Sequence, residues 1–398
     1  MKRLYNIMTD GILRMALPLL MSILSTAGMC ALNVGASRTD MYLPLLEGKR
    51  TALLSNHTGM VGQKHTLDLM LGKGVNVTHI LSPEHGFRGT ADAGQHVKSA
   101  TDPVSGLPIV SLYGGSGSGL TPELMDKIDA VVVDMQDVGT RFYTYHITML
   151  KVMEACASKG IKVVVFDRPN PLGMMVDGPV LDMSLRSGVG RIPVPVLHGL
   201  TMGEIALMAN GEGWLRDGLK ADVTVIPVEG YTHATRYRLP VAPSPNLRTM
   251  EAIYLYPSLC YFEGTSASVG RGTESPFRLY GHPSMKARGF TFRPKSMPGA
   301  KNPPLLGKLC QGVDLRGMSE SEAFGKGVDL SYIIDAYSAM TVGKEKFFNS
   351  FFDKLIGNRT VRKMIVAGKS ADEIRASWHD EVEEYKQLRS KYLIYPEK

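Results

Sequence analysis

The sequence predicts an α/β protein built around a parallel sheet. From residue 50 onward, short β-rich runs alternate with helical stretches. The runs are almost continuously apolar, as strands covered on both faces are. Polar, chemistry-bearing residues begin where these runs end. In open sheets of this kind ligands gather beyond the carboxyl ends of the strands, so the tails point to one shared cleft.

The first residues read as an export signal. Lys2, Arg3 and Arg14 precede an apolar run from Met15 to about Ala36, short for a bilayer span and suited to the core of a signal peptide. Val34-Gly35-Ala36 offers the small residues of a cleavage site, so residues 1–36 are expected to be removed. Lipidation at Cys30 is the alternative, weakened by Met29 before it. The remaining 37–398 is long enough for two domains. It keeps Cys156, Cys260 and Cys310, an odd and widely spaced set that indicates buried thiols rather than a disulfide framework or zinc cluster. The formal charge of the whole chain, +7, comes from scattered basic residues without interleaved aromatics. Nucleic acid is therefore not an expected partner, whereas an anionic polymer such as cell wall is compatible.

The expected strands are residues 51–55, 79–82, 109–112, 130–134 and 162–167. Asn56 and His57 follow the first, Glu84 and His85 the second, Gln136 and Asp137 the fourth, and Arg168 and Asn170 the fifth. Residues 143–158 carry apolar side chains at near-helical spacing and stop at Lys159-Gly160. A second helix, 201–210, opens with Thr201-Met202-Gly203-Glu204, a capping box that gives Glu204 a structural role. The proline-rich stretch 239–249 reads as a linker or a surface-crossing loop, with a boundary near it that divides the chain into 37–245 and 246–398. Beyond it come a glycine-rich segment, 263–276, and an amphipathic helix from Ala371 to about Tyr392 with a solvated charged face.

The glycine run from Gly114 to Gly119 lacks the G-x-G-x-x-G spacing and has no P-loop lysine, so no nucleotide cofactor is expected. Neither a G-x-S-x-G elbow nor an H-E-x-x-H pair occurs. A metal site built from scattered histidines with Asp134 or Asp137 stays open. Carboxylates give a stronger signal. Hydrolysing a glycosidic bond takes one carboxylic acid to protonate the leaving oxygen and a second carboxylate to attack, stabilise or activate water. Glu84, Asp134, Asp137, Glu263 and Glu274 all lie in strand tails or glycine-rich loops. Each also has an ordinary structural use: a helix cap for Glu84, an Asx turn for Asp137, an ion pair with Arg271 or Arg278 for Glu274. The residues alone lead to a hydrolase with acidic groups in a cleft.

Several stretches occur in one order along the chain. They include Leu53-Leu54-Ser55-Asn56-His57-Thr58-Gly59, Ser82-Pro83-Glu84-His85-Gly86-Phe87-Arg88-Gly89, Phe166-Asp167-Arg168-Pro169-Asn170-Pro171 and the long motif from Asp134 to Tyr145. Others are His198 to Glu204, Pro243 to Thr249, Phe262 to Ser266, Gly270 to Phe277, Ala367 to Ser370 and Tyr392 to Pro396. Together they resemble the exo-β-N-acetylmuramidases, peptidoglycan glycoside hydrolases formerly catalogued as a domain of unknown function. The resemblance implies a Rossmann-like N-terminal catalytic domain with a parallel sheet and a smaller α+β C-terminal auxiliary domain completing the cleft. It also implies release of N-acetylmuramic acid from non-reducing ends of peptidoglycan fragments, with no nicotinamide cofactor. The expected partners are muramyl saccharides, outside the cytoplasm in the periplasm, with membrane contact only if Cys30 is lipidated. The alternatives are a non-catalytic cell-wall-binding protein and a metal-dependent cell-wall amidase or esterase.

On this reading Glu84 is the expected general acid, tuned by the adjacent His85, and Glu263 the second carboxylate, with Glu274 and Asp137 in reserve. Arg271 or Arg141 is expected to read the lactyl carboxylate that sets N-acetylmuramic acid apart from N-acetylglucosamine, because a guanidinium binds carboxylate through two parallel hydrogen bonds. Asn56, His57, Arg88, Gln136, Tyr143 and Asn246 complete the expected substrate contacts.

Overall fold

A computed structural model describes residues 32–84, 86–87, 100–112 and 119–398. His85, Arg88, Cys30, the leader up to residue 31 and most of the Gly114 to Gly119 loop lie outside the described residues. Among those described, the main sheet has 7 strands, in the spatial order Val223–Ile226, Lys162–Phe166, Ala130–Asp134, Thr51–Ser55, Val77–Ser82, Pro108–Ser111 and Ala100–Thr101. All neighbours are parallel except the short edge strand Ala100–Thr101. Numbered along the chain, the six parallel strands follow the doubly wound order 3-2-1-4-5-6. The order reverses between Thr51–Ser55 and Ala130–Asp134, which pair directly through all five residues.

Burial on both faces explains the apolar runs. Val131 and Val133 pack into one layer and Ala130 and Val132 into the other, the alternation of a pleated strand. The first layer is covered by the helices Tyr145–Ala157 and Met202–Gly211, the second by Thr39–Leu46 and Thr66–Gly72. The C-terminal part contains the helix Met250–Leu259, further helices, and an antiparallel sheet in which Cys310–Asp314 lies between Leu279–His282 and Phe290–Phe292. Its Tyr254, Phe262, Phe352 and Trp378 join the same apolar cluster as Val131 and Leu150. The two parts therefore share one core.

Three sequence expectations need revision. The strand Val223–Ile226 and the edge strand Ala100–Thr101 were not anticipated, since the first is short and only half-buried and the second is two exposed residues. The single helix expected over residues 371–392 is broken into Ala371–Ala376, His379–Arg389 and the 3-10 turn Ser390–Tyr392. Trp378 interrupts it with non-helical backbone (φ −114°, ψ 9°) while its indole Nε1 donates to Asp177 Oδ1 at 3.0 Å. Of the two readings of the proline-rich stretch 239–249, the linker gives way to the crossing loop. Pro243 O accepts hydrogen bonds from the hydroxyls of Tyr143 (2.8 Å) and Tyr145 (3.3 Å), so it straps across the carboxyl ends of the strands.

The segment before the first helix also has a packed role. Asn33 exchanges two backbone hydrogen bonds with Glu229, and Gly35 N donates to Asp167 O at 2.9 Å. A Cβ at Gly35 would lie 2.3 Å from Ile226 O and 2.6 Å from Asp167 N, so only glycine fits against the strand ends. Ala36 is fully buried. Cleavage after Ala36 would strip this seam from the sheet, which sets the expected processing position against the packing. A chain beginning at Ser37 should be less stable than one beginning at Leu32 by about 2–4 kcal/mol, the net worth of three backbone hydrogen bonds plus a buried methyl. Equal denaturant midpoints for the two would show that the seam contributes nothing.

Candidate active site

The reversal point is floored by an ion pair. Arg168 Nε donates to Asp134 Oδ1 at 2.6 Å and its NH2 to Oδ2 at 3.0 Å, with both side chains almost wholly buried. The same guanidinium donates twice to Met60 O, and Ser55 Oγ donates to Asp134 O at 2.8 Å. Asp134 is thus consumed in aligning three strand ends. Gly59 lies so close that a Cβ there would meet Ser55 Oγ at 2.3 Å.

Above this floor Asn56 is fully buried, and its Oδ1 accepts from the backbone N–H (3.0 Å) and hydroxyl (2.6 Å) of Thr58. Its amide nitrogen, close to the Tyr145 hydroxyl, makes no hydrogen bond of normal geometry. His57 Nε2 is 2.9 Å from Ala242 O in the proline strap. Gln136 is a strut, donating through Nε2 to Asp137 O and Pro169 O while its backbone N–H donates to Thr58 Oγ1. Asp137 is anchored by the Gly139 N–H, which donates to Oδ1 at 2.6 Å, and its Oδ2 lies 3.7 Å from His146 Nδ1. Glu84, half-buried, accepts at Oε2 from Thr144 Oγ1 at 2.8 Å.

Tyr145 connects these groups. Burial above all drives its hydroxyl well above the ordinary range, and the charges of Glu84 and Asp137 add to the shift. Tyr143, whose ring centroid lies 4.7 Å from that of Tyr145, is raised likewise by burial and by Asp137. Tyr145 thus lies within electrostatic reach of both carboxylates and Tyr143 of Asp137, and Asn56, Glu84, Gln136, Asp137 and Tyr143 gather around the start of the helix Tyr145–Ala157. Neither Tyr145 nor Thr144 was singled out beforehand. Both lie in the motif from Asp134 to Tyr145, but their place at a helix start hides which way they face.

The other expected residues are dispersed. Glu263, in the 3-10 turn Cys260–Gly264, forms an ion pair with Arg271 Nε. Burial lowers the Arg271 guanidinium, yet the Glu263 charge and hydrogen bond outweigh it and leave the group raised. This pair adjoins the site through Tyr256, which feels both charges and packs edge-on to Tyr143 at 6.3 Å. Glu274 is exposed and pairs with Arg248 at 3.1 Å. Asn246 spends its amide on Gly299 O at 2.9 Å.

Arg141 is the largest departure. It is fully buried, and its terminal nitrogens donate to Pro179 O, Val194 O, Leu355 O and Ile356 O at 2.7–3.1 Å. Burial lowers its pKa to about 10. A ligand carboxylate could reach this group only by displacing four carbonyls from two parts of the chain, so Arg141 serves the packing of the fold.

Family models for the N-terminal and C-terminal parts of the exo-β-N-acetylmuramidase NamZ match residues 51–251 and 254–395. The chain belongs to the exo-β-N-acetylmuramidase family. It is accordingly a glycoside hydrolase. It is 37% identical over 373 residues to the peptidoglycan β-N-acetylmuramidase NamZ of Bacillus subtilis (strain 168), covering 89% of each chain. Two crystal structures of DUF1343 family proteins from Bacteroides fragilis share the fold. One, at 52% identity, has a TM-score of 0.85, and the other, at 26%, a TM-score of 0.75. Each alignment covers 92% of this chain and 99% of the other.

In this exo-β-N-acetylmuramidase-family protein, Arg141→Met should leave buried carbonyls without donors. Two orphaned carbonyls alone cost about 2–6 kcal/mol. The variant should lose that much stability in denaturant titration yet keep its turnover per folded molecule below the transition. A specific loss of turnover at unchanged stability would instead return Arg141 to the catalytic site.

Proposed function

We propose that the protein releases N-acetylmuramic acid from non-reducing ends of peptidoglycan fragments, with Glu84 as general acid and Asp137 as the second carboxylate. The observation that carries this choice is that Glu84 and Asp137 meet neighbouring residues of one helix start, Glu84 accepting from Thr144 at 2.8 Å and Asp137 lying 3.7 Å from His146, whereas Glu263 is tied to Arg271. An ion-paired carboxylate is a poor nucleophile or base, because its charge is already neutralised. Glu84 is held at one oxygen by Thr144, which fixes the carboxyl so that its proton can be aimed at the leaving oxygen. Asp137 is held at Oδ1 by the Gly139 N–H and faces His146 Nδ1 through Oδ2, which fixes the plane of its carboxyl group.

Arg271 then has a different task. Its described contact with Glu263 is through Nε, so the terminal nitrogens remain for a bidentate hold on a lactyl carboxylate. Glu263 orients the fork, and the neighbouring Phe277 ring, 5.2 Å from the guanidinium carbon, supports its flank. Export fits this substrate, which lies outside the cytoplasm. The packed seam from Leu32 onward favours processing upstream of it, where Cys30 stands.

A chromogenic N-acetylmuramic acid glycoside, run beside its N-acetylglucosamine analogue, tests the reading. The protein should release chromophore from the first only. Absence of release by well-folded protein would favour a cell-wall-binding role, and abolition by chelators a metal-dependent one. Glu84→Gln and Asp137→Asn should each lower kcat by about 10²-fold or more. Arg271→Lys keeps the charge but loses the fork, and should weaken kcat/KM on the muramic substrate by roughly 1–3 kcal/mol. Wild-type turnover by Asp137→Asn would move the role back to Glu263.

A further inference from the structure

The positive charge of the chain is concentrated in one stretch of its C-terminal part. Between residues 344 and 369 stand seven basic residues and two acidic ones, Glu345 and Asp353, a surplus of five in a chain whose formal charge is +7. Folding leaves the surplus in place. Arg359, Arg362 and Lys363 all lie within electrostatic reach of Asp353, and only Arg362 pairs with it, at 2.8 Å. Among the described residues, Lys344 and Lys363 form no ion pair with a carboxylate. Charge that reads as scattered along the sequence is thus massed in one region.

These cations border a pocket of about 440 Å³. Its walls come from three elements: Tyr337 of the helix Ser331–Ala339, Lys344 and Phe348 in and after the 3-10 turn Lys344–Lys346, and Arg362, Lys363 and Val366 of the helix Thr360–Val366. The Tyr337 and Phe348 ring centroids are 5.3 Å apart, and Lys344 Nζ stands 4.4 Å over the Tyr337 ring. Apolar and aromatic walls carrying a few charged groups are the usual make-up of a ligand pocket, and this volume falls in the usual range. The larger cavity beside Asp177 and the helix His379–Arg389 differs in character, because its Arg375, Lys386 and Arg389 are each tied to a carboxylate. Unpaired cations next to aromatic rings suit a ligand that is acidic and also has apolar faces. A glycan bearing lactyl carboxylates has both, since the C–H faces of its sugar rings can pack on aromatic side chains.

The pocket also adjoins the turn that carries Glu263. Asn349 N donates to Gly264 O at 3.0 Å and Ser266 N to Phe347 O at 2.8 Å, so the strip bearing Phe348 runs directly beside that turn. We propose that this pocket is a second saccharide-binding site, which holds the body of a peptide-free peptidoglycan glycan chain through its lactyl carboxylates at Lys344 and Lys363 and its ring faces at Phe348 and Tyr337. The choice of ligand rests on the proposed release of N-acetylmuramic acid, whose polymeric source carries these carboxylates once the stem peptides are gone. While a stem peptide is attached, the lactyl carboxyl is an amide and has no charge to offer, so the site selects stripped chains. A second hold raises the effective concentration of the chain at the protein without any new contact where the terminal sugar is cut.

Calorimetric binding to the intact protein tests the site, with peptide-free glycan chains that begin with N-acetylglucosamine as the probe. An enzyme that removes terminal N-acetylmuramic acid leaves such chains whole. Wild-type protein should bind them, and binding should weaken as salt rises, because exposed charges are screened. In K344E/K363E the affinity should fall about tenfold or more, as expected when two charged contacts are reversed. The neutral pair K344Q/K363Q should lie between, and K344R/K363R should bind like wild type. Chains whose lactyl carboxyls are methyl-esterified should bind wild type as weakly as intact chains bind K344E/K363E. Equal affinity of wild type and K344E/K363E for the intact chain, or of wild type for intact and esterified chains, would overturn the site. Peptide-bearing chains held equally well by the same lysines would give the pocket to stem-peptide carboxylates, and binding of phosphatidylglycerol vesicles without glycan would give it to a membrane; either result overturns the proposal. The chromogenic muramic glycoside separates this site from catalysis, since K344E/K363E should hydrolyse it at the wild-type rate. If wild type fails to hydrolyse it, the proposed function fails, and chain binding still decides the pocket.

Discussion

The bidentate contact between Asp134 and Arg168 is the constraint on which the site rests. It joins the ends of two adjacent parallel strands next to the place where strand order reverses, and through Met60 O and Ser55 it also gathers the loop after the central strand. A buried ion pair gains little net stability over an apolar pair, since desolvation offsets most of the attraction. What it provides is direction. With the strand ends held at fixed spacing, the tails carrying Asn56, Asp137 and Asn170 have little freedom left. Gly139 passes so close to Asn170 that a Cβ there would lie 2.2 Å from its Oδ1.

A second set of contacts welds the C-terminal part to this frame. Arg141 reaches carbonyls on both sides of the junction, and Tyr385 and Arg389 donate to His198 O and Gly199 O. Asp167, at the end of its strand, accepts from Thr201, Gly203 and Tyr395, and burial raises its pKa to about 6. Glu204 both closes its capping box and accepts from His233 and Ile394 N. Reading Glu204 as structural was correct, although sequence spacing accounts for only one of its two oxygens.

The strands at the centre were legible because burial on both faces leaves short, nearly unbroken apolar runs, and Thr51–Ser55 and Ala130–Asp134 fall where expected. Their spatial order was hidden, since neighbours such as Thr51–Ser55 and Ala130–Asp134 are far apart in the chain. Within the site, the tails after each strand pointed to Asn56, Glu84, Gln136 and Asp137, because polarity changes abruptly there. Arg141 misled for a physical reason: an arginine in a loop motif reads as exposed, and only the fold reveals four carbonyls waiting for it. His146 was lost among many histidines, since the sequence does not say which will lie beside Asp137.

The bond from Tyr395 to Asp167 spans 228 residues. Contacts that distant delay folding, because the chain must close a long loop before they form. Until the segment bearing Tyr395 arrives, the buried carboxylate of Asp167 lacks one of its three donors, and an early N-terminal half carries an under-solvated acid at a strand end. The sheet thus reaches its final stability late in synthesis.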